Sequence, residues 1–230
     1  MTFQAIFFDL DGTLLDTERL WVQAVQAFLN ERGLACTPDE ATALVYGRAW
    51  HDIYHDLAAR HPDLALGAAK VNEMLRPRFL KLRHERDVRI PTSVGLLKRL
   101  AATHPVAIVS GSPREEVADS VALMGIGPLL RFFLGSEDYQ PGKPDPACFL
   151  LAAQRLGAVP AHCLVFEDSA AGVRAAKAAG MTCVALARPA APAQAVSPAD
   201  LILDDLDRFR LDRLAPDALC TSPLGLRNRA

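Results

Sequence analysis

Six short apolar runs recur along the chain and constrain its fold more than any other feature of the sequence. In order they are AIFFDL, VAIVS, FFLG, CLVFE, TCVAL and DLILDDL, and stretches of helical character lie between most of them. A short, unbroken apolar run is typical of a strand that is buried on both faces. Strands that alternate with helices favour a parallel sheet covered by helices on both sides. The sequence therefore predicts an α/β fold with a doubly wound parallel sheet.

A long helical stretch interrupts this alternation after the first run. Apolar residues recur at helical spacing from Asp16 onward, and no strand candidate occurs before residue 87. Capping boxes, which mark helix starts, are predicted at Thr37 to Glu40 and, further along the chain, at Ser112 to Glu115. The simplest arrangement is a core of residues 1–16 and 87–230, interrupted by a helical insertion at 17–86.

Composition and charge argue against several classes of protein. Of the 230 residues, 50% are apolar and the formal net charge is −2, which gives no reason to expect a nucleic-acid or membrane partner. No apolar run approaches the roughly 18–20 residues of a membrane span, and the N-terminus lacks the basic start of a secretory signal. The five cysteines are scattered without CxxC spacing, so we expect buried free thiols in a cytoplasmic protein. A monomer or weak homo-oligomer is compatible with this composition.

Polar residues follow four of the predicted strands at the point where each strand ends. They form four groups: Asp9-Leu10-Asp11-Gly12, Ser110-Gly111-Ser112, Gly142-Lys143-Pro144 and Glu167-Asp168-Ser169. Each group alone has an ordinary explanation, as a turn, a helix cap or a surface lysine. In a parallel sheet, however, all four lie along one edge, which is where such folds bind ligands. We therefore expect a single active site at this edge.

The acids of these groups predict a metal site. Two unit charges about 4 Å apart interact by roughly 4 kcal/mol at an effective dielectric constant of about 20. Asp9, Glu167 and Asp168 would therefore need a cation nearby to stay ionised together. Oxygen ligands alone favour Mg²⁺. Lys143, the Ser110 hydroxyl and the backbone N–H groups around Gly12 would complete a cradle for a phosphate group.

At these residues the sequence resembles the haloacid dehalogenase-like phosphatase superfamily, in the subgroup whose helical cap follows the first motif. FFDLDGTLLDTE, VSGS, GKPDP and FEDSAAGVRAAKAAG are similar to its four motifs and occur in the same order. The subgroup includes phosphoglycolate phosphatases, sugar phosphatases and β-phosphoglucomutases. The resemblance implies a Rossmann-like core with an inserted cap, and covers the core at about residues 3–16 and 90–205.

The resemblance also implies roles for individual residues. Asp9 would attack phosphorus and become an aspartyl phosphate, and Asp11 would act as the general acid and base. Asp9, the backbone carbonyl of Asp11, Asp168 and Glu167 would hold Mg²⁺, with Glu167 acting directly or through water.

The remaining motif residues would bind the phosphoryl oxygens: Ser110, Gly111, Lys143 and Gly12. The Lys143–Pro144 peptide bond is a candidate for the cis form.

The expected function is Mg²⁺-dependent hydrolysis of a small phosphorylated metabolite, either a sugar phosphate or a phosphoglycolate-like acid. A phosphosugar mutase of the same family is the main alternative, but Trp21 stands near the position where that branch carries a histidine. Candidate specificity residues are Trp21, Arg48, His51, Ser112 and Arg114. Asp11 argues against a dehalogenase, because a halide leaving group needs no proton. A phospho-accepting signalling domain would lack the long helical insertion.

Overall fold

Six parallel strands form one sheet at the centre of the structure. The computed structural model describes residues 3–48, 50–64, 66–189, 191–207 and 209–214. The strands pair in the order β3-β2-β1-β4-β5-β6, and all five pairings are parallel. Their bounds are Ala5–Phe8 (β1), Val106–Val109 (β2), Phe132–Leu134 (β3), Cys163–Glu167 (β4), Thr182–Leu186 (β5) and Leu201–Leu203 (β6). The predicted parallel α/β fold is confirmed, and each of the six apolar runs supplies one strand.

Helices cover both faces of this sheet because successive side chains of a strand point to opposite sides. Ile6 and Phe8 of β1 belong to one apolar cluster, whereas Ala5 and Phe7 belong to a second cluster on the other face. The helices are Glu18–Asn30 (α1), Pro38–Val45 (α2), Trp50–Arg60 (α3), Ala68–His84 (α4), Pro91–Ala101 (α5), Arg114–Met124 (α6), Ala147–Leu156 (α7) and Ala170–Ala178 (α8). None of the helices in the described ranges combines the length and the hydropathy that crossing a bilayer requires.

Helices α1 to α4 follow β1 and pack on one another. Contacts join α1 to α2 and α4, and α3 to α2 and α4. Ion pairs link α4 to α6: Arg76 lies 3.0 Å from Glu115 and 3.4 Å from Glu116, and Arg83 lies 3.5 Å from Asp119. The predicted capping box at Thr37 is present, with both reciprocal hydrogen bonds to Glu40.

The predicted capping box at Ser112 is wrong. Helix α6 begins at Arg114 with Pro113 as its N-cap residue, and the amide of Arg114 donates a 2.8 Å hydrogen bond to the carboxylate of Glu137. The Ser112 hydroxyl, which follows β2, instead donates a 2.6 Å hydrogen bond to Asp11, which follows β1. A tertiary partner therefore replaces the local one that the sequence pattern suggested.

The cysteines in the described part of the chain are buried free thiols, as expected: Cys36, Cys148, Cys163 and Cys183. Cys220 lies outside the described residues.

Candidate active site

The strand order places the two most acidic groups side by side. The chain moves from β1 to β2 and β3 on one side, and then returns to add β4 on the other, so that β1 and β4 flank the point where the order reverses. Ligands bind at such a switch point, beyond the carboxyl ends of the strands. Asp9 directly follows β1, and its amide donates a hydrogen bond to the carbonyl of Phe166 in β4. The carboxylates of Asp9, Glu167 and Asp168 have oxygen atoms within 4.8 Å of one another.

Lys143 inserts its ammonium group into this cluster from the loop before α7. Its Nζ lies 2.6 Å from a carboxylate oxygen of Asp9 and 2.6 Å from one of Glu167, and it also donates to the carbonyl of Val109. The Lys143–Pro144 bond is cis, as is Gln140–Pro141. Unlike most lysines, which lie at the surface, Lys143 is buried, and its side chain is only 11% exposed.

Burial dominates the electrostatics of the site. It raises the pKa of Asp9 well above its usual range, although Lys143 acts in the opposite direction. Burial and the neighbouring carboxylates raise the pKa of Asp168 in the same way. Burial lowers the pKa of Lys143, but Asp9 and Glu167 outweigh that effect and raise it well above its ordinary value. If all three clustered carboxylates are ionised, the ammonium group of Lys143 balances only one of their three negative charges.

The donor set fits a hard divalent cation. Each side chain of the cluster offers a carboxylate oxygen, the type of ligand that Mg²⁺ prefers. The turn after β1 approaches the cluster closely: Gly12 has φ +88°, and a Cβ on it would overlap the carboxylate of Asp168. Thr13 donates a 2.9 Å hydrogen bond to that same carboxylate and so orients it. The charge deficit and the close approach of this backbone both match a cation site.

The carboxylate of Asp11 is held by three hydroxyl groups. Thr17 donates to one oxygen at 2.5 Å, while Ser112 and Ser110 approach the other at 2.6 and 3.5 Å. Thr17 is the N-cap residue of α1, yet its side chain makes no capping hydrogen bond because it is engaged with Asp11. Ser110 also accepts the amide of Ser112, which folds the loop after β2 toward the acids. Gly111 of this loop is exposed, and its Cβ position is open.

Glu167 is fully buried, and both of its oxygens are already engaged. One accepts from Lys143, and the other accepts 3.0 Å hydrogen bonds from the amide of Asp168 and from the amide and hydroxyl of Ser169. Gly172 packs so closely that a Cβ there would overlap the carboxylate. These contacts fix the lysine and the turn that carries Asp168. The start of α8 is capped by Ser169 and not by either acid.

Among the predicted specificity residues, Ser112 contacts the catalytic candidate Asp11, and three others make the following contacts. Trp21 stacks on Phe79 with ring centroids 4.2 Å apart. Arg48 forms a 2.6 Å ion pair with Asp56. Arg114 forms a 2.7 Å ion pair with Asp138 and lies over the ring of Phe133. His51 belongs to α3, but its side chain lies outside what the structure describes.

Two residues near the site were missed by sequence reasoning. Glu18 begins α1, and burial raises its pKa to about 7, with the charge of Asp11 contributing. Burial is the main cause that raises the pKa of Tyr46. The nearby negative charges of Glu18 and Asp168 also raise it. The position of Glu18 at the end of the first motif was a usable signal, because an acid there extends the acidic group. No pattern in the sequence singled out Tyr46.

Comparison with known proteins agrees with this geometry. The sequence model of the haloacid dehalogenase-like hydrolases matches residues 3–180. Hexitol phosphatase A of Escherichia coli is 30% identical over 222 residues, which cover 93% of this chain and 96% of that protein. Fructose-1-phosphate phosphatase of E. coli is 31% identical over 185 residues, covering 79% and 95%. A haloacid dehalogenase family hydrolase from Deinococcus radiodurans, solved with bound phosphate and sodium, superposes with TM-score 0.69 at 30% identity, covering 89% and 92%.

Proposed function

Because this chain belongs to the haloacid dehalogenase-like hydrolases, we propose that it is a Mg²⁺-dependent phosphatase that hydrolyses a small phosphorylated metabolite. A hexitol phosphatase that matches 93% of this chain and a fructose-1-phosphate phosphatase that matches 79% of it favour a sugar phosphate. The observation that carries the proposal is the buried contact between Asp9 and Lys143, 2.6 Å apart, at the switch point of the sheet. A nucleophile and a cation in contact suit phosphoryl transfer, which depends on positioning and charge neutralisation.

In the first step, a carboxylate oxygen of Asp9 attacks phosphorus in line with the leaving oxygen. The new oxygen–phosphorus bond forms as the ester bond breaks, and Asp11 donates its proton to the departing alkoxide. The hydrogen bonds from Thr17 and Ser112 orient Asp11 for this transfer. Lys143 and the Ser110 hydroxyl bind the phosphoryl oxygens as negative charge moves onto them.

In the second step, water hydrolyses the aspartyl phosphate. Asp11, now ionised, accepts a proton from the attacking water, and the phosphorus–oxygen bond to Asp9 breaks. The products are inorganic phosphate and the regenerated carboxylate of Asp9. One aspartate thus serves as the acid and then the base, so the cycle ends with each proton back where it began.

Asp9, Asp168 and the backbone carbonyl of Asp11 would hold the Mg²⁺ ion. When bound, it supplies two positive charges that offset the clustered carboxylates and the charge on the phosphoryl group. Glu167 would contribute chiefly by holding Lys143, since both of its oxygens accept hydrogen bonds from the protein.

We also propose that residues 17–86 act as a cap over a core of residues 1–16 and 87–230. Helices α1 to α4 fill this segment, and a cap that closes on a small metabolite excludes water from the aspartyl phosphate. A reducing cytoplasm is the proposed location, because the described cysteines are free thiols.

The proposal is tested by steady-state hydrolysis of p-nitrophenyl phosphate and a panel of sugar phosphates with Mg²⁺. Asp9→Asn should abolish turnover, and Asp11→Asn should lower kcat by roughly 100-fold or more while leaving Mg²⁺ binding intact. Asp207→Asn, at an exposed position, serves as the matched control. A normal rate for Asp9→Asn would rule out the covalent mechanism, and an isomerised sugar phosphate without released phosphate would identify a mutase.

A further inference from the structure

A group of charged side chains joins α4, the last helix of the helical segment, to α6, the helix that follows β2. Arg76 lies 3.0 Å from Glu115 and 3.4 Å from Glu116, and Arg83 lies 3.5 Å from Asp119. Arginines of α4 thus face acids of α6 across the boundary between the proposed cap and the core. The proposed chemistry assigns no role to any of these residues.

The two connections between the helical segment and the core run side by side. The amide of Asp16 donates a 2.7 Å hydrogen bond to the carbonyl of Val88, and the amide of Ile90 donates a 2.9 Å hydrogen bond to the carbonyl of Leu14. A unit that is joined to its neighbour only through two adjacent connections can rotate about them as a hinge. We therefore expect the helical segment to move about this pair of connections.

The position of each arginine along α4 determines how far such a rotation moves it. Arg83 lies five residues before Val88, close to the hinge, whereas Arg76 lies about two helical turns further away. Displacement grows with distance from a hinge. An opening rotation therefore separates Arg76 from Glu115 and Glu116, while Arg83 moves less.

Glu116 is the least exposed acid of this group, and its surroundings connect the contact to the catalytic candidates. Its side chain is only 10% exposed. Burial raises the pKa of Glu116, and the charge of Asp11 acts in the same direction, whereas Arg76 and Arg83 lower it. Helix α6 also follows the loop in which Ser112 donates a hydrogen bond to Asp11. The contact between α4 and α6 therefore lies near the proposed general acid.

A contact made by opposite charges can open without a large free-energy cost. Bringing Arg76 and Glu116 together removes water from both, and this desolvation offsets much of their attraction. When the two helices separate, water solvates both charges again, so the open state leaves neither charge buried without a partner. The closed and open states then differ by a small free energy, and dissolved salt changes that difference by screening the attraction.

We propose that the ion pairs of Arg76 with Glu115 and Glu116 are an electrostatic latch, which holds the helical segment closed over the acidic site and releases it during each turnover. Arg83 and Asp119, near the hinge, remain paired in both states. This inference rests on the proposed cap and phosphatase function, and it adds the contact that controls how long the cap stays closed. The closed fraction should fall as the salt concentration rises.

The test measures the distance between α4 and α6 in the full chain, without substrate, by double electron–electron resonance. Spin labels are attached through Glu73→Cys and Leu123→Cys, at two exposed positions on these helices. The described cysteines are buried, and Cys220→Ser removes the remaining thiol. At low salt the otherwise unchanged chain should give one main, short distance. In Arg76→Met a second, longer distance should appear, with the closed-to-open ratio lowered roughly 5- to 30-fold.

Arg78→Met is the matched control. Arg78 lies on the same helix and is 32% exposed, against 33% for Arg76, but it pairs with Glu31 of α1 inside the helical segment. Its replacement should leave the distances unchanged. Glu116→Gln removes the charge on the other side of the latch and should populate the longer distance as Arg76→Met does. Sodium chloride at about 0.5 M should shift the unchanged chain in the same direction and have little further effect in Arg76→Met.

The latch is overturned if the short distance persists alone in Arg76→Met and Glu116→Gln at both salt concentrations, because the contact is then permanent. Equal changes in Arg76→Met and Arg78→Met, or a long distance alone in the unchanged chain at low salt, also overturn it. If Glu116→Gln fails to fold, as thermal unfolding would reveal, Arg76→Met carries the test. These distances are measured without turnover, so they decide on the latch separately from the phosphatase function, which is contradicted by a wild type that hydrolyses no phosphate ester.

Discussion

Replacing Lys143 by methionine should destabilise the protein severely when no divalent cation is present. The ammonium lies 2.6 Å from both Asp9 and Glu167, and all three side chains are nearly or fully buried. At an effective dielectric constant of about 20, each contact supplies roughly 6 kcal/mol of attraction, most of which offsets the cost of desolvating the charges. Methionine keeps much of the side-chain volume and removes only the cation.

The size of the stability loss follows from the buried carboxylates that remain after Lys143 is replaced. Removing one partner of a buried ion pair costs about 3–5 kcal/mol, because the remaining charge is stranded. For a chain of this size each kcal/mol lowers Tm by about 2–4 °C, so the expected loss in EDTA is roughly 6–20 °C. Saturating Mg²⁺ should raise the Tm of Lys143→Met by more than it raises that of the wild type, since the ion then supplies the missing positive charge.

The assay is thermal unfolding in EDTA and in Mg²⁺, with Lys177→Met as the matched control. Lys177 also forms a 2.6 Å ion pair, with Asp200, but both side chains are about one-third exposed and lie outside the acidic cluster. Its replacement should cost less, and Mg²⁺ should not recover the loss. This account of the site is refuted if Lys143→Met lowers Tm in EDTA by less than about 2 °C, or if Mg²⁺ raises the Tm of both variants equally.

Three further outcomes are expected from the same geometry. Gly12→Ala places a methyl group against the carboxylate of Asp168 at φ +88°, and isothermal titration should show Mg²⁺ affinity reduced at least tenfold. Gly172→Ala drives a methyl group into the buried carboxylate of Glu167, and chemical denaturation should show a loss of about 2 kcal/mol or more. In its control, Gly95→Ala in α5, the new methyl group would meet only the guanidinium of Arg99 at 3.8 Å, an ordinary contact, so stability should instead rise by up to about 1 kcal/mol; equal effects in the two would count against the packing described at Gly172. Chelation should abolish hydrolysis and excess Mg²⁺ should restore it, so full activity in EDTA would remove the cation from the proposal.

The local sequence pattern was sufficient to predict structure wherever the interactions within one segment of the chain determine its conformation. The run AIFF reads as a buried strand because each side chain is apolar, and β1 spans those four residues, all of them buried. Thr37 caps α2 because its partner, Glu40, is only three residues away. The prediction that Asp9, Glu167 and Asp168 would meet needed one more rule, that parallel strands end at a common edge.

Patterns failed where a distant partner competed with a local one. Ser112 and Thr17 both occupy positions typical of helix caps, yet both hydroxyls donate to Asp11. Arg48, a candidate specificity residue, pairs with Asp56 on the next helix, a contact that the sequence pattern did not predict. A buried or partly buried carboxylate binds donors that lie within hydrogen-bonding distance. Which donors lie that close depends on how the helices and strands pack.

The sequence by itself thus determined the sheet, the helical stretch after the first strand and the edge that collects the acids, because periodicity and strand polarity are local properties of the chain. Only the tertiary structure decided that Lys143 is buried between two carboxylates, and that a carboxylate oxygen of Glu18 and the hydroxyl of Tyr46 are buried without a hydrogen-bond partner among the described residues. Burial and unmet hydrogen bonds arise when separate segments pack together, and residue spacing along the chain does not encode them directly.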